Sequence, residues 1–557
     1  MAVTHDVVNQ VPPREGHDVF GADDALVEAV VRHGGHAHLG RLSGLGVLAG
    51  TPEARAWGED ANEHVPVLRT HDRFGHRVDE VTFHPSWHEL MTVAVAQGLN
   101  AAPWTSTEPA PHVARAAGFM VWSQVEAGHG CPMSMTYASV PALRVSPDVA
   151  ADWVSGLAST SYDFGLRPAA GKAGLVAGMA MTEKQGGSDV RTNSTVATPV
   201  AGDEYLLTGH KWFCSAPMSD VFLVLAQAPG GLTCFVVPRV LPDGTRNVFR
   251  LQRLKNKLGN RSNASAEIEF EGTLARRLGD EGRGVRTIVE MVSATRLDCV
   301  LGSTALMRVA TSEAVWHATH RSAFGAVLVD QPLMRGVLAD LALEVEAATA
   351  LGIRLAAAVD AAEAGDEQER LLRRIALPAS KYWVTKRAEM LTGEALECLG
   401  GNGYVEDSGL PRIYREAPVN SVWEGSGNVN ALDLLRALSR EPGTLDALLA
   451  ELGTARGADP RYDAAVTDLL DSLADASEVE RRARRLAERV AVLLQASLLL
   501  RYAPDPVADA FVATRVDGDS GATFGTLPRG VDLDLLVARA DPAIPATALA
   551  SSPGVHP

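Results

Sequence analysis

At 557 residues the chain is long enough for three or four structural units. Apolar residues make up 46% and charged residues 21%, which excludes long-range disorder and collagen-like folds. A net charge of −17 favours solubility and repels polyanions on average. The opening residues, MAVTHDVVNQVPPREG, have neither a basic start nor an apolar run, so no secretory signal is expected. The longest apolar stretch, Val490 to Leu500, falls short of the roughly 18 residues of a membrane span. Cys131, Cys214, Cys234, Cys299 and Cys398 are scattered without a CxxC pair. That spacing fits a reduced, cytoplasmic setting and neither a disulfide frame nor a zinc site.

In chain order, an N-terminal extension and helical domain is expected over 1–173. It starts with a short helix at Asp23 to Val31, and Ser86 to Leu157 reads as helical. Within it, Val113, Ala116, Ala117 and Met120 share one face of a helix running His112 to Ala127. Over 174–282 the character changes to short β-rich runs at Glu204–Leu207, Val221–Ala226, Thr233–Val237 and Ala266–Phe270, separated by Gly, Pro, Asn and Asp. They predict a small antiparallel β-domain. Helix returns over 283–440, with long periodic stretches at Gln331–Ala364 and Asp366–Cys398. A helical appendage follows over 441–557. The class is α+β, mainly α.

Several local constellations suit chemistry. The turn Met181-Thr182-Glu183-Lys184-Gln185-Gly186-Gly187-Ser188-Asp189 offers backbone N–H groups and hydroxyls to an anion, although an ordinary strand-closing turn has the same composition. Trp212-Phe213-Cys214-Ser215 puts aromatics beside a hydroxyl. Strand alternation predicts one ring in the core and one on the opposite face, and the pair also suits a plain strand core. Arg321-Ser322-Ala323-Phe324-Gly325, followed by Gln331, combines a forked phosphate donor with a stacking ring, or forms a solvated helix-to-helix turn. Leu399-Gly400-Gly401-Asn402-Gly403 precedes Val422-Trp423-Glu424-Gly425-Ser426-Gly427-Asn428. There a carboxylate beside Trp423 suits a desolvated base, or a residue favoured near a helix start.

Other patterns carry less. Gly44-Leu45-Gly46-Val47-Leu48-Ala49 spells GxGxxA without a surrounding βαβ unit, and His33, His36 and His38 lack a supporting carboxylate. Arg481, Arg482, Arg484, Arg485 and Arg489 share one helical arc with Glu478 and Glu488, so a salt-bridged exposed face is expected.

Taken together, these motifs resemble the acyl-CoA dehydrogenase family, in the same order and at similar separations from Met120 to Leu438. Asn9-Gln10-Val11-Pro12, Phe83-His84-Pro85-Ser86-Trp87-His88 and the appendage resemble its AidB-like branch. The resemblance implies N-terminal helices, a middle β-domain and a C-terminal four-helix bundle, in a homotetramer with FAD held between subunits. It implies that Met181, Thr182, Gly187 and Ser188 contact the flavin ring and its pyrophosphate, and that Phe213, Cys214 and Ser215 line the flavin. Phe213 stands where many members carry Trp. Arg321, Phe324 and Gln331, with Glu397, Gly400 and Gly401, match segments that hold the adenosine diphosphate half of FAD from a neighbouring subunit. Ser426 and Asn428 match further flavin contacts. Arg415-Glu416 resembles the family's Arg-Asp pair.

Glu424 matches the base that takes the α-proton of an acyl-CoA while the β-hydrogen leaves as hydride to flavin N5. Electron-transfer flavoprotein or another acceptor is then expected to reoxidise the cofactor. The alternative implied by the AidB-like branch is a flavoprotein that binds double-stranded DNA in the response to alkylation damage. The appendage, with 11 Arg, no Lys and 18 acidic residues, weighs against it at a net −7.

Overall fold

The computed structural model describes residues 4–475 and 477–541. They form two compact units: one built from the N-terminal residues up to Pro52, His112–Gln124 and the chain from Cys299 on, the other from Glu53–Pro111 and Val125–Asp298.

The second unit holds the sheet. A hairpin of β1 (Val67–His71) and β2 (Arg77–Thr82) lies within the stretch expected to be helical and loop. The main sheet contains β3 (Ala177–Ala180), β4 (Val196–Ala201), β5 (Glu204–Ser215), β6 (Val221–Ala228), β7 (Gly231–Pro238), β8 (Arg250–Leu254) and β9 (Ser265–Leu278). All the expected β-runs fall inside these strands. The sheet is not purely antiparallel, because β3 pairs parallel with β6 over Ala177–Ala180. β7 pairs with both β9 and β6, so the strand path closes on itself. Leu207, Phe222, Val224, Phe235, Val237, Ile268 and Phe270 fill its interior. Closure leaves few free edges, which suits a sheet dominated by β-branched and aromatic residues.

The first unit is helical. The expected stretches at 331–364 and 366–398 are the helices Pro332–Glu363 and Glu367–Cys398. Asp366 caps the second of these by accepting from the N–H groups of Gln368 and Glu369. Glu367–Cys398 packs against Pro332–Glu363, Leu410–Val422, Gly427–Arg440 and Val479–Tyr502, and so forms the centre of the bundle. The helix expected over 112–127 is Pro111–Ser123 and stops short. Its N-terminal amides at His112 and Val113 donate to the carboxylate of Asp360, at 2.9 and 3.0 Å. Gly44–Ala49 lies inside the helix Leu39–Ala49, so the GxGxxA spelling makes no phosphate-binding turn. Among the described residues no helix is long and apolar enough to cross a membrane.

Candidate active site

In the β-unit, two expected segments come together. The N–H of Trp212 donates to the Thr182 carbonyl at 2.8 Å, and the Lys184 N–H donates to His210 Nε2 at 3.0 Å. Beneath them lies a pair that sequence spacing did not single out. The Glu183 carboxylate accepts from Lys211 Nζ at 2.7 Å, and both side chains are fully buried. It also accepts from the N–H and hydroxyl of Ser194 and of Thr195. Burial opposes the charge on Glu183, but these donors outweigh it and hold the carboxyl well below its usual range. Burial pulls the Lys211 ammonium down to about 8, against the support of Glu183. Such a saturated pair fixes geometry more than it adds stability.

On this base the 184–189 turn stands exposed. Gly186 has φ +152°, and a Cβ on Gly187 would lie 2.5 Å from Thr182 Oγ1, so the turn demands glycine at both positions. The N–H groups of Gly187, Ser188 and Asp189 donate no hydrogen bond among the described residues.

The strand itself departs from simple alternation. Lys211 faces Ile268 while Cys214 faces Ala266, so one extra residue bulges out of β5. Lys211 and Cys214 therefore point inward. Trp212 is half-buried and Phe213 is 52% exposed. The expectation that one ring enters the core is overturned by this bulge. Cys214 is fully buried, and its thiol is pushed up by burial, so only its backbone is left to face a cofactor. Ser215 Oγ sits 3.1 Å from Ser265 Oγ. Lys255 Nζ lies 3.4 Å from the Trp212 ring centroid and 4.7 Å from that of Phe213.

In the helical unit, Glu424 occupies the turn between Leu410–Val422 and Gly427–Arg440. Its φ is +55°, a left-handed conformation that costs a non-glycine residue about 1 kcal/mol or more. The turn is held from below by Lys381, a buried residue of Glu367–Cys398. Lys381 Nζ donates to the Trp423 carbonyl at 2.8 Å and the Gly425 carbonyl at 2.5 Å, gripping the peptides on both sides of Glu424. Asn430 adds a donor to the Gly425 carbonyl, and Trp423 Nε1 donates to Asn420 Oδ1 at 3.1 Å. Glu424 itself is half-buried, Ser426 starts the next helix, and Asn428 is exposed on its first turn.

Two further groups stand on separate elements. Glu397, Gly400 and Gly401 are exposed at the end of Glu367–Cys398, with Gly400 at φ +60°. Arg321, Phe324 and Gln331 belong to a hairpin of β10 (Ser322–Ala323) and β11 (Ala326–Val327). Phe324 at its tip is 99% exposed with φ +53°. The side chain of Gln331 donates to the Ala323 carbonyl at 3.1 Å. Asn9 braces the same hairpin: its Nδ2 donates to the Ser322 carbonyl and its Oδ1 accepts the Ser322 N–H, both at 2.8 Å. Arg321 donates to the Asn9 carbonyl. Arg415 pairs with Glu406 at 2.6 Å.

The salt-bridged Arg face is only partly realised. Arg481 pairs with Glu478, Arg482 with Asp475 and Arg489 with Asp468. Arg484 and Arg485 form no ion pair among the described residues, although the Arg485 charge acts on Glu488.

The residues present fit a flavin dinucleotide. Phe213 offers a flat exposed face, Thr182 and Ser215 offer hydroxyls, and the uncommitted amides of 187–189 suit a diphosphate. Sequence reasoning missed Lys381, Lys211 and Asn9 as supports. The one local signal for Lys381 was a lone charge inside the apolar run Ala376–Val384.

Three family models match the chain: the adaptive response protein AidB N-terminal domain over 9–164, the acyl-CoA dehydrogenase middle domain over 178–273, and the acyl-CoA dehydrogenase C-terminal domain over 282–439. The chain is 45% identical over 536 residues to "Putative acyl-CoA dehydrogenase AidB" of Escherichia coli (strain K12), covering 96% of this chain and 98% of that one. It is 31% identical over 489 residues to "Acyl-CoA dehydrogenase family member 11" of Caenorhabditis elegans, covering 82% and 79%. The crystal structure of Caenorhabditis elegans ACDH-11 in complex with C11-CoA superposes with a TM-score of 0.83 at 27% identity, covering 97% of this chain and 93% of that one. The chain belongs to the acyl-CoA dehydrogenase family, in its AidB-like branch.

Proposed function

We propose that the protein is an FAD-dependent acyl-CoA dehydrogenase with Glu424 as its base. The observation that carries this reading is the Glu424 turn, where a buried ammonium and a carboxamide fix the backbone around one half-buried carboxylate. A base held in one orientation gains more from proximity than a mobile one. Proton removal by such a carboxylate is favoured once bound substrate and cofactor shut water out of its approach.

In this reading, Glu424 takes the proton from the carbon next to the thioester carbonyl. Phe213 holds the cofactor ring flat, Thr182 and Ser215 hydrogen-bond its polar edge, and the 187–189 amides take its phosphate arm; Ser426 and Asn428 serve as further flavin contacts. Bound FAD supplies the acceptor for the β-hydrogen. Arg321, Phe324, Gln331, Glu397, Gly400 and Gly401 serve the dinucleotide of a neighbouring copy. The exposed Phe324, Leu333 and Tyr404 support a homotetramer, since such apolar tips gain from burial against a second copy. A cytoplasmic location and an electron-transfer flavoprotein as acceptor are consistent with this role.

Anaerobic mixing of the FAD-loaded protein with short straight and branched acyl-CoAs tests the reading. Loss of flavin absorbance with at least one thioester is expected, and a flavoprotein inert to every thioester overturns it.

A further inference from the structure

The second unit holds a cavity that none of the expected flavin contacts, nor Glu424, lines. It lies between the helix Pro85–Ala96, the 159–176 segment that leads into β3, and the turn joining β5 to β6. About 380 Å³ of space is empty there, part of it continuous with solvent. Phe83 and Trp87 stack with ring centroids 5.0 Å apart and planes 14° from parallel, and Phe164 meets Phe83 edge-on at 6.0 Å. Met91, one helical turn beyond Trp87, and Met218 complete a wall of rings and thioethers.

The charged side chains that line this cavity are matched to one another. Lys172 donates to the Asp220 carboxylate at 2.6 Å and to the Gly165 carbonyl at 3.0 Å, and both side chains of the pair are buried. Asp220 also accepts the Val176 N–H at 2.9 Å, and Asp163 pairs with Arg167. A charged ligand therefore finds no free counter-charge here. Ser219 differs. It is 3% exposed, and its buried hydroxyl meets no partner among the described residues. Its own N–H donates to the Ala216 carbonyl at 2.9 Å, so the hydroxyl is carried on a closed turn. A buried hydroxyl without a partner carries a desolvation cost, which a hydrogen-bonding group on a ligand removes.

We propose that this cavity is a second ligand site, which takes a neutral single-ring aromatic molecule bearing one hydroxyl. The ring packs against Phe83, Trp87 and Phe164, and the hydroxyl bonds Ser219. A purely apolar guest leaves Ser219 unpaired, and an ionised one meets only charges that are already paired. The site stands independently of the dehydrogenase reading.

Calorimetric titration of the full-length, FAD-loaded protein with p-cresol and with toluene, the same ring without the hydroxyl, tests it. The wild type is expected to bind both. In Ser219→Ala, p-cresol binding is expected to weaken by about fivefold or more while toluene binding stays the same. That change removes only a hydroxyl without a partner, so the variant is expected to melt no lower than the wild type. Phe164→Ala, made at a residue that is 39% exposed, is expected to weaken both probes without threatening the fold. Absence of saturable p-cresol binding by the wild type overturns the proposal, and so does equal p-cresol binding by Ser219→Ala. Unchanged binding of both probes by Phe164→Ala puts them elsewhere on the molecule and overturns it as well. Because the readout is heat of binding and not flavin reduction, failure here leaves the dehydrogenase reading intact.

Discussion

Glu424 sits in a backbone conformation that its own side chain disfavours, and Lys381 is the residue that holds it there. Removing the ammonium leaves the Trp423 carbonyl without this donor, a loss of about 1–3 kcal/mol, and leaves the Gly425 carbonyl to Asn430 alone. Lys381→Met is therefore expected to lower turnover by roughly tenfold or more while KM changes little, because displacing a base by a fraction of an ångström acts on the reacting geometry and not on ground-state binding. Equal turnover in steady-state assays of the variant and the wild type would refute this role. A second buried carboxylate, Glu126, accepts from the N–H groups of Gly128 and His129, from the His129 ring, and from Asn62 and Ser262. Burial opposes its charge, yet these donors bring its pKa down to about 2 from 4.5. A depressed carboxyl contributes stability that is fully present above the unfolded value and is lost as pH falls through the folded one. The wild type is thus expected to lose on the order of 3 kcal/mol between pH 4.5 and 2 from this group. Glu126→Gln flattens that dependence in thermal melts, and an unchanged acid limb contradicts the assignment. None of these supports was legible from spacing. Lys381 and Glu424 are 43 positions apart, and Glu126 and Ser262 are 136 apart, so only the fold brings them together.

At the scale of elements, the long helices were readable because apolar periodicity persists over many turns and Asp366 marks a start. The strands were readable as runs of β-branched and aromatic residues, but their pairing was not. Parallel β3–β6 contact and the bulge in β5 depend on partners far along the chain, and the bulge leaves both Trp212 and Phe213 outside the core where alternation put one ring inside. The N-terminal tail makes a similar point. Asn9-Gln10-Val11-Pro12 reads as loop, yet Asn9 pairs with Ser322 through both edges of its carboxamide, as a strand neighbour would, and the Pro12 carbonyl accepts from Trp316 Nε1 at 2.7 Å. Asn9→Ala is expected to speed hydrogen exchange of the Ser322 amide at least tenfold while the Leu328 amide, which donates to the Arg321 carbonyl, changes less. Equal exchange at Ser322 in both proteins would show that the tail does not brace the hairpin.

For the whole molecule, the charged side chains that tie distant parts of the helical unit are mostly Arg with carboxylates. Arg539 grips Glu346 at 2.7 Å and Glu28 at 3.0 Å, and Arg354 bridges Glu369 and Glu451. Forked donors suit such multi-partner sites. Phe324, almost fully exposed, lies on a segment that resembles the dinucleotide contacts of a neighbouring copy, and the exposed Leu333 and Tyr404 follow such segments closely in the chain. Sedimentation equilibrium is accordingly expected to give four times the 59.0 kDa chain mass, and a monomer at micromolar concentration contradicts that assembly.

Whether Glu424 removes the substrate proton is decided by anaerobic absorbance of the FAD-loaded Glu424→Gln protein. With an acyl-CoA that bleaches the wild-type flavin, the variant is predicted to bind the thioester and stay yellow, because the amide cannot accept the proton. Bleaching of the variant at the wild-type rate would mean that another group serves as the base.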